Sequence, residues 1–486
     1  MRAMKVAMLS SEIVPFAKTG GLADVAGALP KFLCRAGAEV RVITPLYRET
    51  KRKNLPLRPV ADAIELDWQG KKDRFSVVEH QEDGVTYLFV ERDEYFDRDF
   101  LYGTPQGDFP DNGERFAFFS KAALETLKFT GFRPDVVHAH DWQSAVTLAF
   151  LKFVYDRDPF FAYTRSLLTI HNLAYQGLFE SDLLGRIGLP ERLFNMENME
   201  FYGKVNFLKA GILYATAVNT VSKRYSQEIQ TPEFGARLDG LLRGRSDTVF
   251  GILNGVDYAG WSPATDKFIA RPFDPTYLDG KKECKRDVLQ AFSLDVRQGD
   301  APVVGMVSRL AGQKGFDILC ETLDGIFEAG ARLLILGTGE EVYQKALLAA
   351  REKYPGSLGL KIAFDEALSH KIYAGCDMFL IPSRYEPCGL TQMYSLKYGT
   401  IPVVRSTGGL EDTIQEYNAT SMTGNGFKFS EYSAPALLGA LRKAVSIYRL
   451  PVRWRALIQK AMACDFSWDR SAREYIRLYQ KLSALG

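Results

Sequence analysis

Four stretches of this sequence bring together residue types suited to a phosphorylated or sugar-like ligand. In the first, Lys18 stands just before Gly20-Gly21. Paired glycines let backbone approach a phosphate closely and the lysine adds charge, although a tight turn with a solvated lysine uses the same residues. The second, SRLAGQKG at 308–315, sets Arg309 and Lys314 on either side of a glycine turn. Arginine forks onto phosphate oxygens and lysine is a compact cation, so the two suit a diphosphate; in isolation they read more plainly as surface cations. The third, PSRYEPCGLT at 382–391, holds Glu386 between an aromatic residue and Pro387. Its carboxylate could bind sugar hydroxyls or balance developing positive charge, with the amides of Gly389, Leu390 and Thr391 free beside it. A helix-start acid favoured by the dipole is the alternative. The fourth pairs HAHDW (His138, His140, Asp141) with IHN (His171), using three of the five histidines. HxHD resembles metal ligands, but without a further ligand group it reads as structural, and a lone histidine at a strand end is more often packed than catalytic.

Such residues act together only if the fold gathers them. Residues 5–9 (KVAML) read as an apolar strand. Leu22, Val25, Ala26, Leu29, Phe32 and Leu33 then recur at helical spacing, with Gly37 as the stop, and 39–44 form a second strand ending at Pro45. Strand, loop, helix, strand is the unit of a parallel sheet. The same order returns in a strand at 135–139 leading to Asp141 as N-cap, and in one at 167–170 ending at His171-Asn172. A second series has strands at 301–307, 332–336, 378–381 and 401–404, with helices at 316–329 and 390–398 between them. All four loops then join a strand end to a helix start, and open parallel sheets bind ligands beyond the carboxyl ends of their strands. The turn-rich segment 254–263 reads as the link between two doubly wound halves. TGGLAD at 19–24 and TGGLED at 407–412 look like one glycine turn feeding a helix in each half.

Composition narrows the function further. The 486 residues suggest two or three domains. With 61 basic against 59 acidic residues, a nucleic-acid partner is disfavoured. No uncharged run reaches the ~18 residues of a membrane span. The N-terminal apolar stretch, broken by Glu12, reads as a buried strand rather than a signal peptide. Six cysteines without a CxxC pair fit reduced thiols of the cytoplasm and argue against a disulfide framework or zinc knuckle. Gly337-Thr338-Gly339 follows a strand, but Val342 stands where a dinucleotide fingerprint needs its third glycine, so a nicotinamide enzyme is disfavoured. The DRD triplets at 97–99 and 156–158 read as surface charge rather than a metal site.

The order of the motifs is more specific than any one of them. KTGGLADV, HAHDWQ, HNLAYQG, NGVD, SRL…QKG, PSRYEPCGLTQ, LKYGTIPVV and STGGLEDT follow one another, joined by EYFDR at 94–98, FLKAG at 207–211 and DFSW at 465–468. In this the chain resembles the bacterial glycogen synthases and their starch synthase relatives, along essentially its whole length.

That resemblance implies an α/β GT-B architecture: two Rossmann-like domains, 1–253 and 254–464, facing a deep interdomain cleft, with a helix in 465–486 returning to the first. It implies a retaining glucosyltransferase that moves glucose from ADP-glucose to the non-reducing end of an α-1,4-glucan, without cofactor or metal. Lys18 and the Gly20 and Gly21 amides would face the distal phosphate. Arg309 and Lys314 would hold the diphosphate, and Glu386 would contact the donor glucose, helped by the amides of Cys388 and Gly389. Leu390 and Thr391 would approach the ribose and phosphate, while Asp141, His171 and Asn254 would line the glucose pocket. Phe364 stands where some relatives place tyrosine against the adenine, which keeps stacking and loses a hydroxyl contact. No pair of carboxylates suited to a glycosyl–enzyme intermediate is evident, so same-face attack is expected, with the diphosphate taking the acceptor's proton and the His171 carbonyl near the sugar cation. Competing readings are another GT-B transferase with a different donor or acceptor, a pyridoxal-phosphate-dependent glucan phosphorylase, and a catalytically inactive glucan-binding protein.

Overall fold

Buried apolar runs build two parallel sheets. The computed structural model describes residues 2–297 and 300–484. In the first unit Lys5–Leu9, whose Val6, Ala7, Met8 and Leu9 are fully buried, pairs in parallel with Glu39–Pro45 on one side and Val136–His140 on the other. The sheet continues through Arg165–Ile170, Ala217–Thr220 and Val249–Gly251 in one direction, and through Val85–Glu91 in the other, all parallel. Two antiparallel strands, Lys71–Glu82 and Arg58–Trp68, extend that second edge. They turn at Gln69-Gly70 and Asp83-Gly84, where both residues of each pair have positive φ, the geometry of a tight hairpin. This extension is absent from the sequence reading.

The helix Gly21–Arg35 buries its apolar stripe against the sheet and stops before Gly37, whose φ of +94° no side chain would favour. The expected strand at 135–139 runs instead from Val136 to His140, and the expected helix at 390–398 runs from Thr391 to Lys397.

The second unit is a six-stranded parallel sheet. In spatial order its strands are Leu358–Lys361, Arg332–Leu336, Val303–Val307, Met378–Ile381, Ile401–Arg405 and Phe427–Phe429. Numbered along the chain this is 3-2-1-4-5-6, the doubly wound dinucleotide-binding order. Its entry segment is pinned by aromatic stacking: Trp261 lies between the rings of His370 and Tyr394, each 3.9 Å away, and Asp266 accepts from His370 Nδ1 at 2.6 Å and Tyr398 OH at 2.5 Å.

The units divide at 255/256 and again at 467/468, against the expected 253/254 and 464/465. The described residues from Trp468 onward therefore belong with the first unit. In Trp468–Ser483 the residues Trp468, Ala472, Tyr475, Tyr479 and Leu482 form one buried stripe, sharing a core with Val6, Met8, Val136 and Leu167. Two hydroxyls add polar anchors: Tyr479 OH meets His138 Nδ1 at 2.8 Å, and Tyr475 OH accepts from Asn219 Nδ2 at 3.0 Å. Among the described residues no helix is long and apolar enough to cross a membrane.

Emptying a fully buried aromatic site costs about 3–5 kcal/mol. Tyr475→Ala should therefore destabilise the first unit by that amount, moving its transition to lower denaturant while the second unit's midpoint holds. A single unshifted unfolding curve would contradict this packing.

Candidate functional site

The second unit's sheet reverses its winding between Val303–Val307 and Met378–Ile381, and the loops after these strands carry the expected cationic and acidic motifs. Gly315, at φ +80°, has no room for a side chain: a Cβ would fall 2.2 Å from the Pro382 carbonyl oxygen. Lys314 Nζ donates to Glu386 Oε2 at 2.6 Å, and Ser383 Oγ donates to the same oxygen at 2.9 Å. Ser383 is fully buried and Glu386 nearly so. The acidic loop is braced from three sides. Arg384 N donates to Gln313 O at 2.8 Å, Gln392 Nε2 donates to Cys388 O and Gly389 O, and Gly409 N donates to Glu386 O at 3.1 Å. TGGLED supplies that last brace, and a Cβ on Gly408 would fall 1.9 Å from Glu386 O.

Arg309, Lys314, Ser383, Glu386 and Thr391 line one cavity of about 130 Å³. Arg309 is exposed and, among the described residues, has no carboxylate partner; Gln313 Oε1 lies 3.5 Å from its Nη2. Lys314, read from the sequence as a cation awaiting phosphate, already holds the carboxylate read as a sugar contact. Gly389 sits at φ +68° and Leu390 precedes the Thr391–Lys397 helix. Phe364 is 87% exposed beyond the Leu358–Lys361 strand and is not part of this cavity wall. Gly337 and Gly339 admit the neighbouring loop, since a Cβ on either would strike the carbonyl oxygen of Ser308 or Leu310.

The first unit reverses its winding between Lys5–Leu9 and Val136–His140. The loop after Lys5–Leu9 folds around Glu12, which the sequence reading used only as a break in an apolar run. Glu12 is buried, and its carboxylate accepts from Thr19 N at 2.6 Å, Gly20 N at 2.9 Å, Thr19 Oγ1 at 3.0 Å and Tyr102 OH at 3.0 Å. The Gly20 amide, expected to face a phosphate, is thus already donated within the protein. Lys18 pairs with Asp24 at 2.7 Å. A Cβ on Gly20 or Gly21 would meet nothing within 4 Å, and neither residue has positive φ, so the fold itself does not require glycine at either place.

Asp141 is not the N-cap. His140 takes that position, and Ser144 Oγ accepts from its amide at 2.7 Å. Asp141 adopts φ +54°, which swings its carboxylate across to accept from His171 N at 2.7 Å. Burial pushes its carboxyl up to about 7, against the lowering effect of the His171 and Asn172 amides, with Glu12 adding repulsion. His171 Nε2 and His140 Nδ1 share a hydrogen bond of 2.9 Å. Burial keeps these imidazoles neutral: His171 and His138 are pushed down to about 3, and His140 is held well below the usual imidazole range by burial, with His138 and His171 adding to the effect. His138 spends both ring nitrogens on Tyr479 and Thr169. Asn254 is buried, and among the described residues its Oδ1 has no hydrogen-bond partner. Among the described residues no group of three His, Cys, Asp or Glu side chains is arranged to hold a metal ion. Of the DRD carboxylates, Asp97 and Asp99 pair with Arg48 and Asp158 pairs with Lys128.

Within each unit, then, the structure gathers several of the expected residues at the carboxyl edge of a parallel sheet. Arg309, Lys314, Glu386 and Thr391 meet in the second unit; Lys18, Gly20, Asp141 and His171 lie about the winding reversal of the first. Glu12, Ser383 and Gln392 organise these loops, and none of the three has a role in the sequence expectations.

Comparison with known proteins accords with this geometry. Residues 5–244 match the starch synthase catalytic domain family and residues 294–460 match the glycosyl transferases group 1 family. The chain is 49% identical over 479 residues to a glycogen synthase of Koribacter versatilis, covering 98% of both chains. It is 44% identical to the glycogen synthase of Thermotoga maritima, covering 99% of both. Among solved structures, the catalytic domain of starch synthase IV from Arabidopsis thaliana, bound to ADP and acarbose, superposes with a TM-score of 0.90 at 33% identity, over 99% of this chain and all of that one. A sucrose-phosphate synthase from Thermosynechococcus elongatus shares the fold, with a TM-score of 0.62 at 16% identity. The chain belongs to the glycogen and starch synthase family of GT-B glycosyltransferases, the enzymes of glycogen synthesis.

Proposed function

We propose that this enzyme transfers glucose from ADP-glucose to the non-reducing end of an α-1,4-glucan, with retention of configuration, release of ADP and no metal ion. The observation that carries this reading is the Lys314–Glu386 pair beside Arg309, which has no carboxylate partner among the described residues, in one cavity at a winding reversal. Cleaving the anomeric bond leaves a diphosphate and a sugar with oxocarbenium character. Fixed cations favour the first and a fixed carboxylate favours the second, without reorganisation at the moment of reaction.

Arg309 and Lys314 take the diphosphate. Glu386, helped by the backbone of Cys388 and Gly389, orients the donor glucose. Leu390 and Thr391 approach the ribose and phosphate, and Phe364 stacks on the adenine. Lys18 and Gly21 serve the distal phosphate; the open space around Gly20 and Gly21 supports a ligand there. Asp141, His171 and Asn254 bind glucose hydroxyls, the neutral His171 acting as a hydrogen-bonding group and its carbonyl facing the sugar cation. The acceptor hydroxyl attacks on the face that the diphosphate leaves and gives its proton to a phosphate oxygen. The ADP bound to the Arabidopsis relative supports an adenine nucleotide.

Nucleotide release with glycogen as acceptor tests the reading directly. ADP-glucose should be turned over and UDP-glucose much less; equal or reversed preference would overturn the donor, and release without chain extension would overturn the acceptor. Arg309→Ala and Lys314→Ala should each lower kcat by about two orders of magnitude, the scale of losing one preorganised charge donor. Near-normal turnover in both would remove their role.

Asp141 gives a pH dependence of stability. Its carboxyl ordinarily titrates near 3.8 and in the folded chain near 7, so between these values the folded state holds a proton that the unfolded state has lost. Stability from this group is therefore highest below about pH 4, falls through that window and is level above it. In Asp141→Asn the fall is absent, so its Tm advantage over the parent should grow between pH 4 and 7. A constant difference across that range would show the carboxyl unshifted.

A further inference from the structure

One surface feature of the first unit is unused by these roles. The strands Glu200–Phe201 and Lys204–Asn206 are joined by the two residues Tyr202-Gly203, with φ of +51° and +81°. Asn-Gly is the ordinary choice for such a turn, because a bulky side chain disfavours positive φ. Here a tyrosine occupies it and is 70% exposed. The guanidinium of Arg237 lies over its ring, 4.9 Å from the centroid, and Arg237 and the preceding Ala236 also have positive φ, at +67° and +46°. Among the described residues Arg237 has no ion-pair or hydrogen-bond partner.

The motif HNLAYQG fixes this arrangement. Gln176 Nε2 donates to Ala236 O at 3.0 Å, and its Oε1 accepts from Asn206 Nδ2 at 2.6 Å. Phe207 N and Leu208 N donate to Gly177 O and Gln176 O, each at 3.0 Å. The Tyr202 hairpin and the Arg237 turn are thus tied to the loop that begins at His171.

We propose that Tyr202 and Arg237 form a docking platform for an α-1,4-glucan chain, separate from the donor residues; this rests on the glucan-acceptor reading above. An exposed ring whose orientation is fixed suits the apolar face of a glucose unit, and the adjacent guanidinium offers unspent donors to hydroxyls. The surroundings argue against an anion: Lys204 is paired with Glu180, and the Glu200 carboxylate sits in the turn, accepting from Gly203 N at 2.7 Å.

The probes are glycogen, read by retardation in native gels, and initial rates with glycogen and with maltotriose. Tyr202→Asn suits the turn and keeps the hairpin, so lost binding cannot be ascribed to misfolding; Arg237→Ala tests the second partner. Each should weaken glycogen retardation and raise the KM for glycogen about fivefold or more, with the KM for ADP-glucose and the rate on maltotriose held, and Tyr202→Trp should restore retardation. Unchanged retardation and KM in both variants, or no retardation of the parent enzyme, would overturn the platform. If the parent enzyme is retarded but transfers no glucose, and Tyr202→Asn abolishes the retardation, the platform stands and the acceptor reading fails. If glycogen binding is unaltered and association with a second protein is lost instead, the surface serves a protein partner and the proposal is wrong.

Discussion

Parallel strand pairing is the constraint on which the rest of this structure depends. Parallel neighbours end at the same edge, so each crossover must return from that edge. Where the winding reverses, two crossovers depart in opposite directions and leave a gap between their loops. Both sheets reverse once, beside Lys5–Leu9 in one and Val303–Val307 in the other, and the cationic and glycine-rich segments emerge there. What distinguishes the two gaps is crowding. In the second unit glycines at 315, 408 and 409 are needed because loop presses on loop; in the first, Gly20 and Gly21 face open space.

A second theme is that charge at these gaps is provisioned with internal counter-ions. Lys18 has Asp24, Lys314 has Glu386, and the Thr19 and Gly20 amides have Glu12. At an effective dielectric of about 20, two unit charges 4 Å apart attract by about 4 kcal/mol, so a binding anion must exchange with these partners rather than find bare cations. The arrangement holds long side chains in one geometry before any ligand arrives, which limits the entropy lost on binding. Arg309 stands apart as the cation without a carboxylate among the described residues, and the cavity's uncompensated positive charge resides on it.

Much of this was legible in residue order. Strands such as Arg332–Leu336 and Met378–Ile381 are covered on both faces, so they read as unbroken apolar runs bounded by turns. The hairpins of 58–91 carry no such run, since only alternate residues, such as Ile64, Leu66 and Trp68, are buried; the alternation and the Asp83-Gly84 turn are the signals that mark them. The partners of the site residues were not legible. Lys314 and Glu386 are 72 positions apart, and His138 and Tyr479 are 341 apart, so their meeting depends on the folded sheet. Asp141 looked like a helix cap because Asp before an apolar run usually is one; its φ of +54° sends the carboxylate to the neighbouring strand end instead.

The last helix sets an unusual timetable for synthesis. The strands of the first sheet are all translated by Gly251, yet the stripe that seals Val6, Met8, Val136 and Leu167 begins at Trp468. Between them the ribosome must make the whole second unit, which at about 5–20 residues per second takes roughly 10–40 s. That later unit is continuous in sequence and is complete on leaving the exit tunnel, whereas the earlier one waits with one apolar face uncovered. The first half to be made is the last to be finished, and the apolar face beneath that helix stays uncovered for the interval.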